Sequence, residues 1–226
     1  PTPEMKTRLA EHGAPGRYTK WHEKHEGSSH DLPAFYNTVI GAIRKVDSET
    51  PIMVDGGWYG QPDSFMHWPK LSDDKVLYSF HLYEPYSFTN SKNFNEKHFY
   101  PYPGNVPFAG KDVEWNDQQI GAYLAGFFNW AKENGIPANR LVCGEFGCYR
   151  RNVGAIQYLT DVIATLNTRK THWAFYSFRE DEWDGYDYEV GTGSLGWKYW
   201  EAKEAGENME VPRKDNPLFQ SSRKNL

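Results

Sequence analysis

Four short apolar, β-compatible runs alternating with amphipathic segments set the strongest constraint on how this 226-residue chain can fold. The runs are residues 51–54 (PIMV), 75–83 (KVLYSFHLY), 139–146 (NRLVCGEF) and 172–178 (HWAFYSF). Before the first, Leu32, Phe35, Tyr36, Val39, Ile40, Ile43 and Val46 recur at helical spacing behind Asp31 and Pro33, a helix-start signal. Between the second and third, Ile120, Tyr123, Leu124, Phe127, Phe128 and Ala131 mark a helix that ends at Gly135. After the third, Ala155, Tyr158, Leu159, Val162, Ile163 and Leu166 mark another, and 196–205 reads as a short last helix. This alternation predicts an α/β fold with a parallel sheet, in one domain. Residues 1–31 read as a loop or insertion, 32–205 as the βα units, and 206–226 as a peripheral polar tail. Because loops after parallel strands build the site, the clusters ending each run should converge.

Composition narrows the function classes. No stretch approaches the roughly 18 to 20 apolar residues that a membrane span needs. A net charge of -5 without a basic block argues against nucleic acid as a partner. Two cysteines build no disulfide scaffold; Cys143 and Cys148 read as buried thiols, with a local disulfide as the alternative. Dinucleotide fingerprint, P-loop and serine nucleophile elbow are all missing, so no cofactor is expected. His22, His25 and His30 match no strong ligand spacing, so no metal is expected either. Aromatics at 16%, with nine Trp, suit a protein that stacks on sugar rings.

Candidate chemistry sits at the strand ends. Glu145 lies in CGEFGC, where flanking glycines leave room for a ligand; a salt-bridged strand-end acid is the plainer reading. His81 and Tyr83 are two residues apart and share one strand face, able to hold a carboxylate or to be satisfied in the core. On the last run Tyr176 lies on the face opposite Trp173 and Phe175, as a stacking platform or one more core aromatic. The loop behind it, REDEWDGYDYEVG, carries acids and aromatics suited to sugar hydroxyls and equally to solvent. Trp58, Trp68 and Trp115, in loops after the first two runs, extend a stacking surface or pack internally.

Taken in order, HLYEPYSFTN, CGEFG and HWAFYSFRED followed by WDGYDYEVG resemble the second half of a family 5 glycoside hydrolase, a (β/α)8 TIM barrel related to cellulases. The resemblance runs from about residue 32 to 200. It implies that this chain supplies strands five to eight, with Glu145 as nucleophile, Tyr83 as its hydrogen-bond partner and His81 beside the acid/base. Tyr176 stands where the family usually carries Trp, and Trp58, Trp115, Arg179 and Asp184 join it as expected substrate-binding residues.

The family's acid/base is the Glu of an Asn-Glu-Pro segment ending strand four, which this chain lacks. PTPEMKTRLAEHG reads as the continuation after that Glu, so Pro1 is expected to be the motif's Pro and an N-terminal half-barrel segment or chain is an expected partner. The implied activity is that of a retaining, endo-acting hydrolase of β-1,4-glucan, with β-mannan or another hemicellulose as the alternative substrate. A non-catalytic carbohydrate-binding relative is the competing class. A polymer substrate implies a secreted or periplasmic setting.

Overall fold

The computed structural model describes residues 17–95, 99–179 and 185–223. In chain order the elements are α1 (Arg17–His25), α2 (Leu32–Ile43), β1 (Ile52–Asp55), β2 (Val76–Leu82), β3 (Gly104–Phe108), β4 (Lys111–Trp115), α3 (Asp117–Glu133), β5 (Leu141–Phe146), α4 (Ala155–Thr168), β6 (His172–Trp173), α5 (Trp197–Glu204) and α6 (Pro217–Arg223). A 3-10 turn, Pro62–His67, follows β1, and single helical turns follow β2.

The four expected strands form one parallel sheet in the order β1-β2-β5-β6. Parallel neighbours need crossover connections; α3 lies in the one from β2 to β5 and α4 in the one from β5 to β6, whereas β1 reaches β2 through the 3-10 turn. Asp31 caps α2 by accepting from the Ala34 N–H at 3.0 Å, with Pro33 in the first turn. Asn116 does the same for α3 through Gln119. Every apolar position predicted for the face of α4 is buried.

The core lies between one face of the sheet and the helices. Tyr78 and Phe80 of β2 meet Trp130 and Phe127 of α3 at ring-centroid distances of 5.2 and 4.7 Å, and Phe65 joins both groups. Phe65, Tyr78, Phe80 and Phe127 are fully buried, worth roughly 1.5–3 kcal/mol for each phenylalanine side chain. Leu77, Ser79 and His81 take the alternate positions of β2 and so belong to the opposite face.

Several expectations change. Residues 1–31 are not all loop, since α1 forms there and packs against the 3-10 turn. The helix predicted to Val46 ends at Ile43, and its apolar face is only half used: Ile40 is buried while Phe35, Val39, Ile43 and Val46 are exposed. The fourth strand is assigned only two residues, although Ala174 and Tyr176 still donate backbone N–H groups to Cys143 and Phe146 of β5. An antiparallel hairpin, β3–β4, appears where none was expected.

The tail is not peripheral throughout. Helix α6 packs on α4 through Leu218, which is 1% exposed. Leu218→Ala is therefore expected to destabilise the chain by about 2–3 kcal/mol, the lower part of the roughly 2–5 kcal/mol range for truncating a buried leucine. A urea unfolding midpoint unchanged from wild type would show that α6 docks without contributing.

Candidate active site

Glu145 reaches its position through a register shift. Phe80 of β2 pairs with Cys143 of β5, but the next residue, His81, pairs with Glu145, so Gly144 is an extra residue in the ladder. The shift places Glu145 beside His81. Glycine fits the bulge without disturbance, whereas a Cβ on Gly144 would stand 2.4 Å from the buried Ser79 Oγ and force that side chain to shift.

The Tyr83 hydroxyl donates to Glu145 Oε2 at 2.9 Å. His81 Nδ1 lies 3.7 Å from the same oxygen. Glu145 keeps 42% of its side chain accessible, so the carboxylate is held on one oxygen and open to a ligand. The Tyr83 phenol is pushed well above its ordinary range, first by burial and then by the negative charge of Glu145. It thus remains a hydrogen-bond donor at any working pH. Its backbone is also fixed, because Thr89 Oγ1 donates to the Tyr83 carbonyl at 2.6 Å.

Tyr176 continues the β6 line past its assigned end. It is 38% exposed, and its ring meets Tyr186 edge-on at 5.5 Å, which in turn meets Tyr83 at 6.4 Å. The Tyr188 hydroxyl lies 3.1 Å from the Tyr176 carbonyl and 3.2 Å from that of Cys148, tying this segment to the loop after β5. Gly147 allows that approach, since a Cβ there would come within 2.4 Å of the Tyr176 oxygen. Cys143 and Cys148 are both free and buried, and burial raises both thiols.

The other expected substrate-binding residues scatter. Trp115 is a correction: it is fully buried, between Phe108 at 5.3 Å and Tyr123 at 5.7 Å, and has no face left for a sugar. Trp68 is likewise a core residue, its carbonyl accepting from Trp130 Nε1. Trp58 is half-buried behind β1, with the Trp21 ring against it edge-to-face at 5.3 Å. Arg179 is half-exposed and ion-paired with Glu189 at 2.8 Å. Asp184 lies outside the described residues. His25 and His30 pack with Trp21 in an aromatic group.

One residue at the site is missed by the sequence patterns above. Asp55 ends β1, and its Oδ1 lies 3.4 Å from His81 Nε2. Its signal is present all the same: an acid closing an apolar run with glycines close by, Gly56 and Gly57 after Asp55 as Gly144 and Gly147 stand around Glu145.

Comparison with known proteins identifies the family. The sequence profile of cellulases, glycosyl hydrolase family 5, matches residues 11–182. Endoglucanase C of Acetivibrio thermocellus is 32% identical over 72 residues, covering 32% of this chain and 21% of that protein. Endoglucanase 3 of Fibrobacter succinogenes is 24% identical over 196 residues, covering 69% of this chain and 29% of that protein. Among solved structures, a hyperthermophilic endo-β-1,4-glucanase in complex with substrate superposes with a TM-score of 0.57 at 20% identity, over 85% of this chain and 53% of that one. Thermotoga maritima Cel5A in complex with mannotriose gives a TM-score of 0.50 at 20% identity, over 69% of this chain and 50% of that one. The chain thus spans under a third of these two curated relatives and about half of these structures. The four parallel strands among the described residues are consistent with a (β/α)8 barrel fold, and the chain belongs to the cellulase family, glycosyl hydrolase family 5.

Proposed function

We propose that this chain carries the nucleophile side of a retaining, endo-acting β-glycoside hydrolase acting on β-1,4-glucan. The observation that carries the proposal is the open Glu145 carboxylate with one oxygen held by the Tyr83 hydroxyl. In the reaction, a Glu145 oxygen attacks the anomeric carbon, the aglycone oxygen departs with the bonding pair, and water later releases the sugar. Tyr83 orients the attacking group, and the exposed Tyr176 offers a ring for the sugar face.

Retention needs a second carboxyl about 5–5.5 Å away to protonate the leaving oxygen and then activate water. We place that acid/base in an N-terminal half-barrel segment completing the sheet. Two features support this: among the described residues β1 and β6 each pair on one side only, and α2 leaves Phe35, Val39 and Ile43 uncovered. Unpaired edges and bare apolar faces are what a complementing half would cover. A polymer substrate places the enzyme outside the cytoplasm; no described helix is long and apolar enough to cross a membrane. The mannotriose complex of Thermotoga maritima Cel5A keeps β-mannan as the second substrate reading.

The test uses a substrate that needs no acid. Incubation with 2,4-dinitrophenyl 2-deoxy-2-fluoro-β-cellobioside should leave one fluorocellobiosyl ester per chain, mapped by peptide mass spectrometry to Glu145. A Glu145→Gln variant should stay unlabelled. Label on another residue, or none on the wild-type chain, would overturn the nucleophile assignment and favour a binding protein.

Gly60 supplies a related prediction. It sits at φ +74°, and a Cβ there would stand 2.7 Å from His81 Cγ. Gly60→Ala should displace the imidazole and slow labelling at least about tenfold, with about 1 kcal/mol lost to the left-handed backbone. An unchanged labelling rate would mean that the position of His81 is irrelevant to Glu145.

A further inference from the structure

His81 sits in a slot. A Cβ on Gly60 would stand 2.7 Å from its Cγ, and one on Gly144 would stand 3.7 Å from Cδ2 and Nε2, so the ring has backbone close by on two sides. These neighbours limit how the ring can turn. They leave one choice open: which nitrogen carries the proton.

Along the ring edge the two nitrogens face different carboxylates. Nε2 faces Asp55 Oδ1 at 3.4 Å, and Nδ1 faces Glu145 Oε2 at 3.7 Å. The Glu145 oxygen already accepts the Tyr83 hydroxyl, whereas the described residues give the Asp55 carboxylate no partner closer than His81. Asp55 is also fixed from behind. Its carbonyl accepts from the Tyr36 hydroxyl at 3.1 Å, and the next N–H, of Gly56, is bonded to Ser79.

We infer that Asp55 is a positioning residue for His81, holding the imidazole proton on Nε2 and so keeping the Nδ1 edge turned toward Glu145. A carboxylate that accepts from one ring nitrogen selects the tautomer and fixes the ring's orientation. The consequence for catalysis rests on the hydrolase reading, since Nδ1 then borders the space where a sugar bound at Glu145 would lie.

The test reads the ring itself and does not depend on turnover. Ring-nitrogen NMR of the full chain at alkaline pH, with His81 assigned through His81→Gln, should show one protonated-type and one bare-type nitrogen, with Nε2 protonated. In Asp55→Ala and in Asp55→Ser, whose side chain is too short to reach, both resonances should move toward the tautomer-averaged position. Asp55→Asn, which keeps an acceptor oxygen, should restore most of the wild-type pattern, and Glu145→Gln should leave Nε2 protonated. Two variants guard against a folding failure in one. The inference is overturned if His81 keeps its wild-type pattern in a folded Asp55→Ala or Asp55→Ser chain, or if the wild-type proton sits on Nδ1. Failure of Glu145 labelling with this NMR pattern intact would overturn the hydrolase reading alone.

Discussion

Tyr83→Phe is expected to slow glycosylation of Glu145 by about a hundredfold while leaving the fold intact, because it removes one hydroxyl from an otherwise apolar ring. Phenylalanine fills the same space and keeps the edge-on contact with Tyr186. The Tyr83 carbonyl, which accepts from Thr89, is untouched. What disappears is the 2.9 Å hydrogen bond that fixes Glu145 Oε2. A hydrogen bond to a charged acceptor contributes about 1.5–3 kcal/mol, or roughly ten- to more than a hundredfold in rate if the full amount is realised only in the aligned attack geometry. The effect has a direction in pH as well. Burial and the neighbouring carboxylate keep the phenol protonated far above its ordinary range, so the wild-type rate should show no alkaline fall from loss of this donor up to about pH 10. Pre-steady-state burst rates with a dinitrophenyl cellobioside would measure both. A Tyr83→Phe burst within about threefold of wild type would mean that Glu145 is oriented by its own rotamer and the bulge, not by the phenol.

The parts of this site that could be read from sequence are those whose signal is local. Glu145, His81 and Tyr83 each end a β-compatible run, and strand alternation already puts the latter two on one face. Helices α3 and α4 were legible because their apolar residues recur at helical spacing; those of α4 are all buried, and those of α3 are buried except Tyr123 and Phe128, which pack half-buried against the core. Where the pattern misleads, the deciding contact lies far along the chain. Trp115 looks like any loop aromatic until β4 pairs with β3 and seats it between Phe108 and Tyr123. The hairpin was hidden by Pro107, which argues against a central strand but is tolerated in a two-stranded ribbon with free edges. The register shift that brings Glu145 to His81 has a weak local mark, Gly144, and what a larger residue would meet there, Ser79, lies 65 positions earlier. Asp55 had a local signal equal to that of Glu145, but its meaning appears only with His81 beside it.

Arg150→Met is expected to destabilise the chain more than Leu218→Ala or Gly60→Ala, at about 4 kcal/mol. Arg150 is fully buried, an unusual place for a guanidinium, and its Nη1 donates to the carbonyls of Gly191 and Gly193 at 2.5 Å each. Its own backbone N–H is bonded to the Gly185 carbonyl. One residue after β5 thereby holds both ends of the segment from 185 to 193, the segment that carries Tyr186 and Tyr188. Methionine replaces much of the aliphatic stem, so the loss is not mainly a cavity. It comes from leaving the carbonyl of the buried Gly191 without its donor, at about 1–3 kcal/mol, and from the loop order that both bonds maintain. For a chain of this size the same loss should lower the melting temperature by about 10 °C. The site should respond too, because Tyr186 spaces Tyr83 from Tyr176 and Tyr188 anchors the Tyr176 carbonyl. Limited proteolysis should therefore cut Arg150→Met first between 185 and 193, and labelling of Glu145 should slow in the same variant. A melting temperature within about 2 °C of wild type would show that the segment is secured by Tyr188 and the Asp187–Arg213 pair without the buried guanidinium.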